Sequence, residues 1–143
     1  MKRLVKILLV ILFVGVTVGC EKHVSKATYA TFNEYFLNKD GFSISDDTDG
    51  YDIEVRRHIQ AVSKNYQIYF VEYDSEKSAN KYINELKKES GYTIKEYDKY
   101  TYVEYTKGKY VVMYKVDETI VMGMSNDTGY KSEINGILKD LGY

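Results

Sequence analysis

The first twenty residues limit what the rest of the chain can fold into. Three basic residues among the first six are followed by an uncharged run, residues 7–18, which ends at Gly19 and Cys20. A membrane-spanning helix needs about 20 apolar residues, so this shorter run favours a signal-peptide core over a permanent span. Cys20 is the only cysteine of the chain, so no disulfide can form within one molecule and packing alone must stabilise the folded part.

The residues that end the leader predict how it is processed. Thr17, Val18, Gly19 and Cys20 resemble the lipobox of bacterial lipoprotein precursors, with Thr17 at a position where leucine is usual. The resemblance implies cleavage after Gly19 and a diacylglyceryl group on the Cys20 thiol, which would anchor the mature protein to the extracytoplasmic face of the cell membrane. The alternative is an uncleaved signal anchor. Ordinary secretory cleavage is disfavoured because no Ala-x-Ala site ends the apolar run.

Length and charge bound the mature part and its partners. Residues 20–143 number 124, enough for one compact domain, and they carry 17 basic against 21 acidic residues. No basic stripe lies outside the leader, so a nucleic-acid partner is not expected. We expect a signal peptide over residues 1–19, the lipidated cysteine with a short tether over residues 20–26, and one domain over residues 27–143.

Hydrophobic periodicity predicts three helices. The first is expected over residues 28–38, the second from about residue 75 towards Gly91, and the third from about residue 127 to just before Gly142. A glycine follows each of them, as is common at helix ends because glycine tolerates the left-handed conformation.

Alternating residues predict the strands between these helices. Residues 59–63 with 66–73 and residues 102–106 with 109–116 are expected to form two hairpins, and residues 119–124 extend the second one into a meander. The fold class is therefore α+β, an antiparallel sheet of about five strands in the order α-ββ-α-βββ-α, with the helices on one face. Residues 92–97 are a further candidate for an edge strand.

An acidic loop is the candidate for metal binding. Residues 46–52 carry alternating carboxylates around Gly50, as calcium loops do, which makes Asp47, Asp49 and Asp52 the metal candidates. Arg56 falls where the closing glutamate of such a loop would lie, so a solvated turn is the favoured interpretation. No nucleophile elbow or phosphate-binding glycine loop is present, and we predict no catalytic residues, no enzymatic activity and no cofactor.

Tyrosine is the residue type that most suggests a binding surface. The chain has 16 tyrosines and no tryptophan, and an apolar ring with a polar tip suits sugar, peptide or protein surfaces. AT-rich coding is the alternative explanation of this composition. Tyrosines are dense over residues 97–105. We expect a binding surface that includes four tyrosines on the predicted strands, Tyr69, Tyr73, Tyr102 and Tyr114.

The mature chain resembles the small lipoproteins of low-GC Gram-positive bacteria at residues 41–44, 66–70 and 137–143. This resemblance implies no particular activity. The sequence predicts a non-catalytic binding or interaction module at the cell envelope, held in the membrane by its diacylglyceryl anchor, with an envelope protein or a wall component as partner. The alternative is an accessory subunit of a membrane complex such as a transporter, a stress sensor or a secretion system.

Overall fold

The computed structural model describes residues 22–51 and 54–143. The helices in this part of the chain are α1 (Tyr29–Leu37), α2 (Glu76–Leu86) and α3 (Lys131–Asp140), with short 3-10 turns at Thr48–Gly50 and Thr128–Tyr130. The strands are β1 (Ser43–Asp46), β2 (Val55–Val62), β3 (Gln67–Tyr73), β4 (Thr93–Glu96), β5 (Thr101–Tyr105), β6 (Tyr110–Val116) and β7 (Thr119–Ser125).

All these strands form one antiparallel sheet in the order β1-β2-β3-β7-β6-β5-β4. The chain enters the sheet at one edge after α1 and at the other edge after α2, and each time it proceeds inward by hairpins. β7 then fills the centre between β3 and β6. The β4–β5 and β6–β7 turns lie at one end of the sheet, close to residues 22–27, and the β2–β3 and β5–β6 turns lie at the other end.

The predicted number and order of strands are wrong. The sheet has seven strands instead of about five, in the order helix, three strands, helix, four strands, helix. Both additional strands, β1 and β4, are four-residue edge strands that follow a helix. In each of them a single half-buried residue, Ile44 or Ile94, lies among exposed neighbours. Such a strand is too short to show alternation, although residues 92–97, the candidate edge strand, do contain β4.

The helices lie on both faces of the sheet, so the expectation of one helical face is also wrong. The physical reason is visible in β6, in which all seven residues are buried, so that both sides of this strand are covered. α1 and α3 cover one face through Phe32, Phe36, Ile134, Ile137 and Leu138. α2 covers part of the other face through Ile83 and Leu86, which pack with Val71, Val103, Val111, Met113 and Ile120.

Side-chain caps fix where the first two helices begin. The Thr28 hydroxyl accepts a hydrogen bond from the Thr31 amide at 3.2 Å, and the Thr31 hydroxyl accepts one from the Thr28 amide at 3.0 Å. At α2 the Ser75 hydroxyl accepts from the Ser78 amide at 3.3 Å. These bonds satisfy amides that have no partner inside the helix, so α1 and α2 start directly after Thr28 and Ser75.

Candidate functional site

One concave surface joins residues from three distant parts of the chain. This tyrosine–lysine depression, of about 570 Å³, lies beside β4 and β5 on the face that α1 and α3 cover. Its walls are contributed by Lys22, Lys95, Tyr97, Tyr100, Tyr102, Tyr114, Asn135 and Lys139.

The tyrosine rings of the depression form a continuous cluster. Tyr97 and Tyr100 stack at 4.5 Å between ring centroids, across a turn in which the Tyr97 amide donates to the Tyr100 carbonyl at 2.9 Å. Tyr114 then contacts the rings of Tyr100 at 6.0 Å and Tyr102 at 5.2 Å. Tyr114 is 7% exposed and Tyr97 is 41% exposed. The cluster therefore has a buried base and one accessible ring at its rim.

The lysines supply charge that the described part of the chain does not neutralise. The Lys22 amino group donates to the Tyr114 hydroxyl at 2.9 Å and lies 4.7 Å from the centroid of the same ring. Within the described ranges, no carboxylate oxygen lies within 4.0 Å of the amino groups of Lys22, Lys95 or Lys139. The depression is consequently aromatic and cationic, which suits an anionic ligand with some apolar surface.

Burial affects the Tyr102 phenol of the depression. It raises the pKa of Tyr102 far above its usual value, and the nearby Glu104 carboxylate raises it further. At neutral pH the Tyr102 hydroxyl is therefore a hydrogen-bond donor and not a base. This arrangement can bind and orient an anion.

The C-terminal residues hold residues 22–27 against the domain, and we call this stretch the docked segment. The Ser25 amide donates to the Gly142 carbonyl at 2.9 Å, and the Ala27 amide donates to the Tyr143 hydroxyl at 2.9 Å. Val24 and Ala27 are buried in the core. Most of the predicted tether at residues 20–26 thus lies on the domain surface, and its position brings Lys22 onto Tyr114.

The four tyrosines expected to form one binding surface are divided between two surfaces. Tyr102 and Tyr114 belong to the depression. Tyr69 and Tyr73 lie on the opposite face with α2, where the Tyr69 hydroxyl donates to the Gln67 side chain and the Tyr73 ring lies 6.3 Å from that of Tyr82. Strand alternation alone could not show this division, because it depends on how the strands pair.

The acidic loop makes local hydrogen bonds. The Thr48 amide and hydroxyl both donate to the Asp46 carboxylate, which lowers the pKa of that carboxyl group. The metal candidate Asp47 accepts from the Gln60 side chain, Asp49 is exposed, and Asp52 lies outside the described residues. Within the ranges that are described, no group of three metal-ligating side chains converges.

His58 is buried beside this loop. Its ring stacks on Tyr51 at 4.0 Å, and its Nδ1 atom has no hydrogen-bond partner in the described structure. Burial lowers its pKa below the usual range, although the Asp47 carboxylate opposes this effect. We infer a neutral packing role for this ring.

The residues expected to carry the lipid signal, Thr17, Val18, Gly19 and Cys20, lie outside the described residues. In the part that is described, no helix is long and apolar enough to cross a membrane. Sequence reasoning did not find Lys22, Lys95, Lys139 and Asn135 as site residues. The density of tyrosines over residues 97–105 was the one signal that pointed to this region.

No family model and no curated protein matches the chain. Among solved structures it is similar to a GTP binding regulator from Thermotoga maritima, with a TM-score of 0.54 and 10% sequence identity. The superposition covers 85% of this chain and 93% of that chain. At this identity the similarity shows a shared fold alone and says nothing about the ligand of the depression.

Proposed function

We propose that this protein is a lipoprotein on the extracytoplasmic face of the cell membrane, and that its domain is a non-catalytic binding module. The tyrosine–lysine depression would be the binding site, and an anionic component of the cell envelope would be its ligand. The leader supports the anchor, because a diacylglyceryl group on Cys20 supplies two acyl chains, whereas a single chain binds a membrane only marginally.

The observation that carries the proposal is that three lysines without an ion pair among the described residues converge on a tyrosine cluster. Lys22, Lys95 and Lys139 come from the docked segment, β4 and α3, and they share one concave surface. Among the residues that the structure describes, neither a carboxylate nor a histidine lines this surface. The cations attract an anion, and the protonated tyrosines offer hydrogen bonds and apolar contact to the rest of the ligand.

Lysine acylation in intact cells, followed by mass spectrometry, tests whether the depression is occupied. We expect Lys95 and Lys139 to react more slowly in cells than in protein purified in non-ionic detergent. Lys64 and Lys107 are matched controls, since both are exposed, in the turns at the other end of the sheet, and should react equally in both samples. Equal reactivity of all four lysines would refute the binding site.

A pair of tyrosine variants supplies a second control. Tyr97 and Tyr51 are 41% and 50% exposed, and each stacks on one ring, but they lie on opposite faces of the sheet. We expect Tyr97→Ser to abolish the protection in cells and Tyr51→Ser to preserve it. The intact mass of the membrane fraction tests the anchor directly. A mature form without lipid on Cys20 would contradict the lipoprotein assignment.

A further inference from the structure

We infer that the anionic ligand of the depression is the phospholipid headgroup layer of the same membrane that holds the anchor. In this arrangement the domain lies with its β4–β5 turn on the bilayer instead of extending freely from it. The inference rests on the proposed diacylglyceryl group at Cys20, and it names the ligand of the site proposed above.

Chain length places the depression at the membrane surface. Lys22 is two positions after Cys20, with Glu21 between them, and an extended chain covers at most about 7 Å over two such steps. Lys22 is itself a wall of the depression, with its amino group 2.9 Å from the Tyr114 hydroxyl. A lipid on Cys20 therefore holds this wall within about one Debye length of the headgroups.

The contacts of the docked segment prevent it from detaching from the domain and so lengthening the link to the membrane. The buried side chains of Val24 and Ala27, and the backbone bond from Ser25 to Gly142, fix this segment from its third residue onward. These contacts thus keep the chain from Val24 onward on the domain. The end of the sheet that carries the depression faces the bilayer as a consequence.

The chemistry of this end matches an anionic interface. Tyrosine is enriched where proteins meet the headgroup region, because its ring is apolar and its hydroxyl is polar. Tyr97, the accessible ring at the rim, fits this preference. Lys22, Lys95 and Lys139 provide three positive charges for lipid phosphates. The neighbouring depression contains Lys99 together with Asp98 and Asp117, so it adds no positive charge to these three.

The test uses the full lipidated protein in two kinds of vesicle, phosphatidylcholine alone and phosphatidylcholine with phosphatidylglycerol. Lysine acylation rates are measured by mass spectrometry in both. One lysine near an anionic surface changes binding by roughly five-fold. We therefore expect Lys95 and Lys139 to react several-fold more slowly in the anionic vesicles, with Lys64 and Lys107 unchanged. If the protein stays on both kinds of vesicle but Lys95 and Lys139 react at the same rate in each, the inference is overturned while the proposed anchor stands.

Paired substitutions show whether the charges themselves carry the effect. In the variant Lys95→Gln/Lys139→Gln we expect Lys22 to lose its protection in the anionic vesicles. In the control Lys64→Gln/Lys107→Gln, we expect Lys22 to stay protected. Unchanged protection of Lys22 in both variants would contradict a role for these two lysines in headgroup binding.

Two further outcomes separate the inference from its alternatives. Soluble poly(glycerol phosphate) is added to the phosphatidylcholine vesicles as a probe for wall polymers. Protection by this polymer, without protection in the anionic vesicles, would identify a wall component as the ligand and overturn the inference. Elution of the protein from both kinds of vesicle, with an unmodified Cys20, would refute the proposed anchor and the inference with it.

Discussion

Replacing Gly123 by alanine tests how closely α3 packs on the sheet. Gly123 lies in β7, and a Cβ atom at this position would come 2.2 Å from Cγ2 of Ile134 and 3.2 Å from Cδ1 of Ile68. Both isoleucines are 0% exposed, so neither has free space to move into. The glycine allows α3 to approach β7, and α3 carries Asn135 and Lys139 of the depression.

The expected magnitude follows from two opposing contributions. Gly123 is not among the glycines with positive φ, so alanine fits the backbone there. Because alanine reduces the conformational entropy of the unfolded chain, it should raise the free energy of unfolding by about 0.4–1 kcal/mol. Overpacking a dense core costs about 1–3 kcal/mol, and a contact at 2.2 Å belongs near the upper end of this range. We expect Gly123→Ala to lower the free energy of unfolding by about 1–2 kcal/mol.

The assay is a urea titration of the detergent-solubilised protein, followed by far-ultraviolet circular dichroism. A loss of this size lowers the urea midpoint by roughly 1 M. Gly136→Ala is the matched control, since Gly136 lies on α3 and, apart from its chain neighbours and its own helix backbone, no atom of the described residues lies within 4 Å of an added Cβ. There the same substitution should raise the free energy of unfolding by about 0.5–1 kcal/mol, because alanine is the better helix former.

A double-mutant cycle ties the effect to Ile134. Ile134→Ala alone should cost about 2–5 kcal/mol, and together with Gly123→Ala the cost should be clearly smaller than the sum, because the new methyl group fills part of the cavity. The reasoning is refuted if Gly123→Ala stabilises the protein as Gly136→Ala does, or if the two costs simply add.

Three further substitutions test the contacts of the docked segment and the buried rings. Burial raises the pKa of Tyr143 to about 12, above about 10 in the unfolded chain, so this contribution to stability is complete below about pH 10 and is lost as pH rises through about 12. In urea titrations at increasing pH, Tyr143→Phe should remove up to about 2–3 kcal/mol of the stability that the protein loses at alkaline pH. Near neutral pH the same substitution should cost about 1 kcal/mol, because the hydrogen bond from the Ala27 amide is lost. Burial lowers the pKa of His58 in the folded protein. The contribution of the neutral ring to stability is therefore complete above about pH 6.5 and is lost as pH falls through the folded-state pKa. His58→Phe should make the urea midpoint less dependent on pH below about pH 6.5. An unchanged pH dependence would contradict the role given to His58. At Gly142, φ is +102° and an added Cβ would lie 2.3 Å from the Ser25 hydroxyl oxygen. Gly142→Ala should therefore lower the free energy of unfolding by about 1–2 kcal/mol and speed amide exchange at Ser25. Unchanged exchange would argue against the contact between Gly142 and the docked segment.

The helices could be located from the sequence because each one carries its own local signals. Residues 28–38 contain a capping pair and an aromatic stripe, and they correspond to α1 at Tyr29–Leu37. Likewise Ser75 and the Ala79–Leu86 stripe mark α2. These signals act within a few residues, so they do not depend on what the rest of the chain does. The third helix begins at Lys131, later than predicted, because a 3-10 turn precedes it.

The composition of the site could not be predicted because strand register decides it. A two-residue turn at Lys107 and Gly108 would pair Tyr102 with Met113, whereas the sheet pairs Tyr102 with Tyr114. Directly opposed residues share a face, and a shift of one residue moves a whole strand's side chains to the other face. The position of the Tyr102 ring beside Tyr114 thus depends on one residue of turn length, which residue patterns leave open.

The proposed anchor would make these few charges sufficient for the proposed membrane docking. Three lysines at about 1 kcal/mol each supply about 3 kcal/mol, which is weaker than a millimolar affinity of about 4 kcal/mol. A freely diffusing domain would therefore leave an anionic surface readily. With lipid on Cys20 the contact becomes intramolecular, and a short link gives millimolar or higher effective concentrations. The docked segment would keep that link short, so the bonds from Ser25 to Gly142 and from Ala27 to Tyr143 would stabilise the proposed orientation without touching a headgroup.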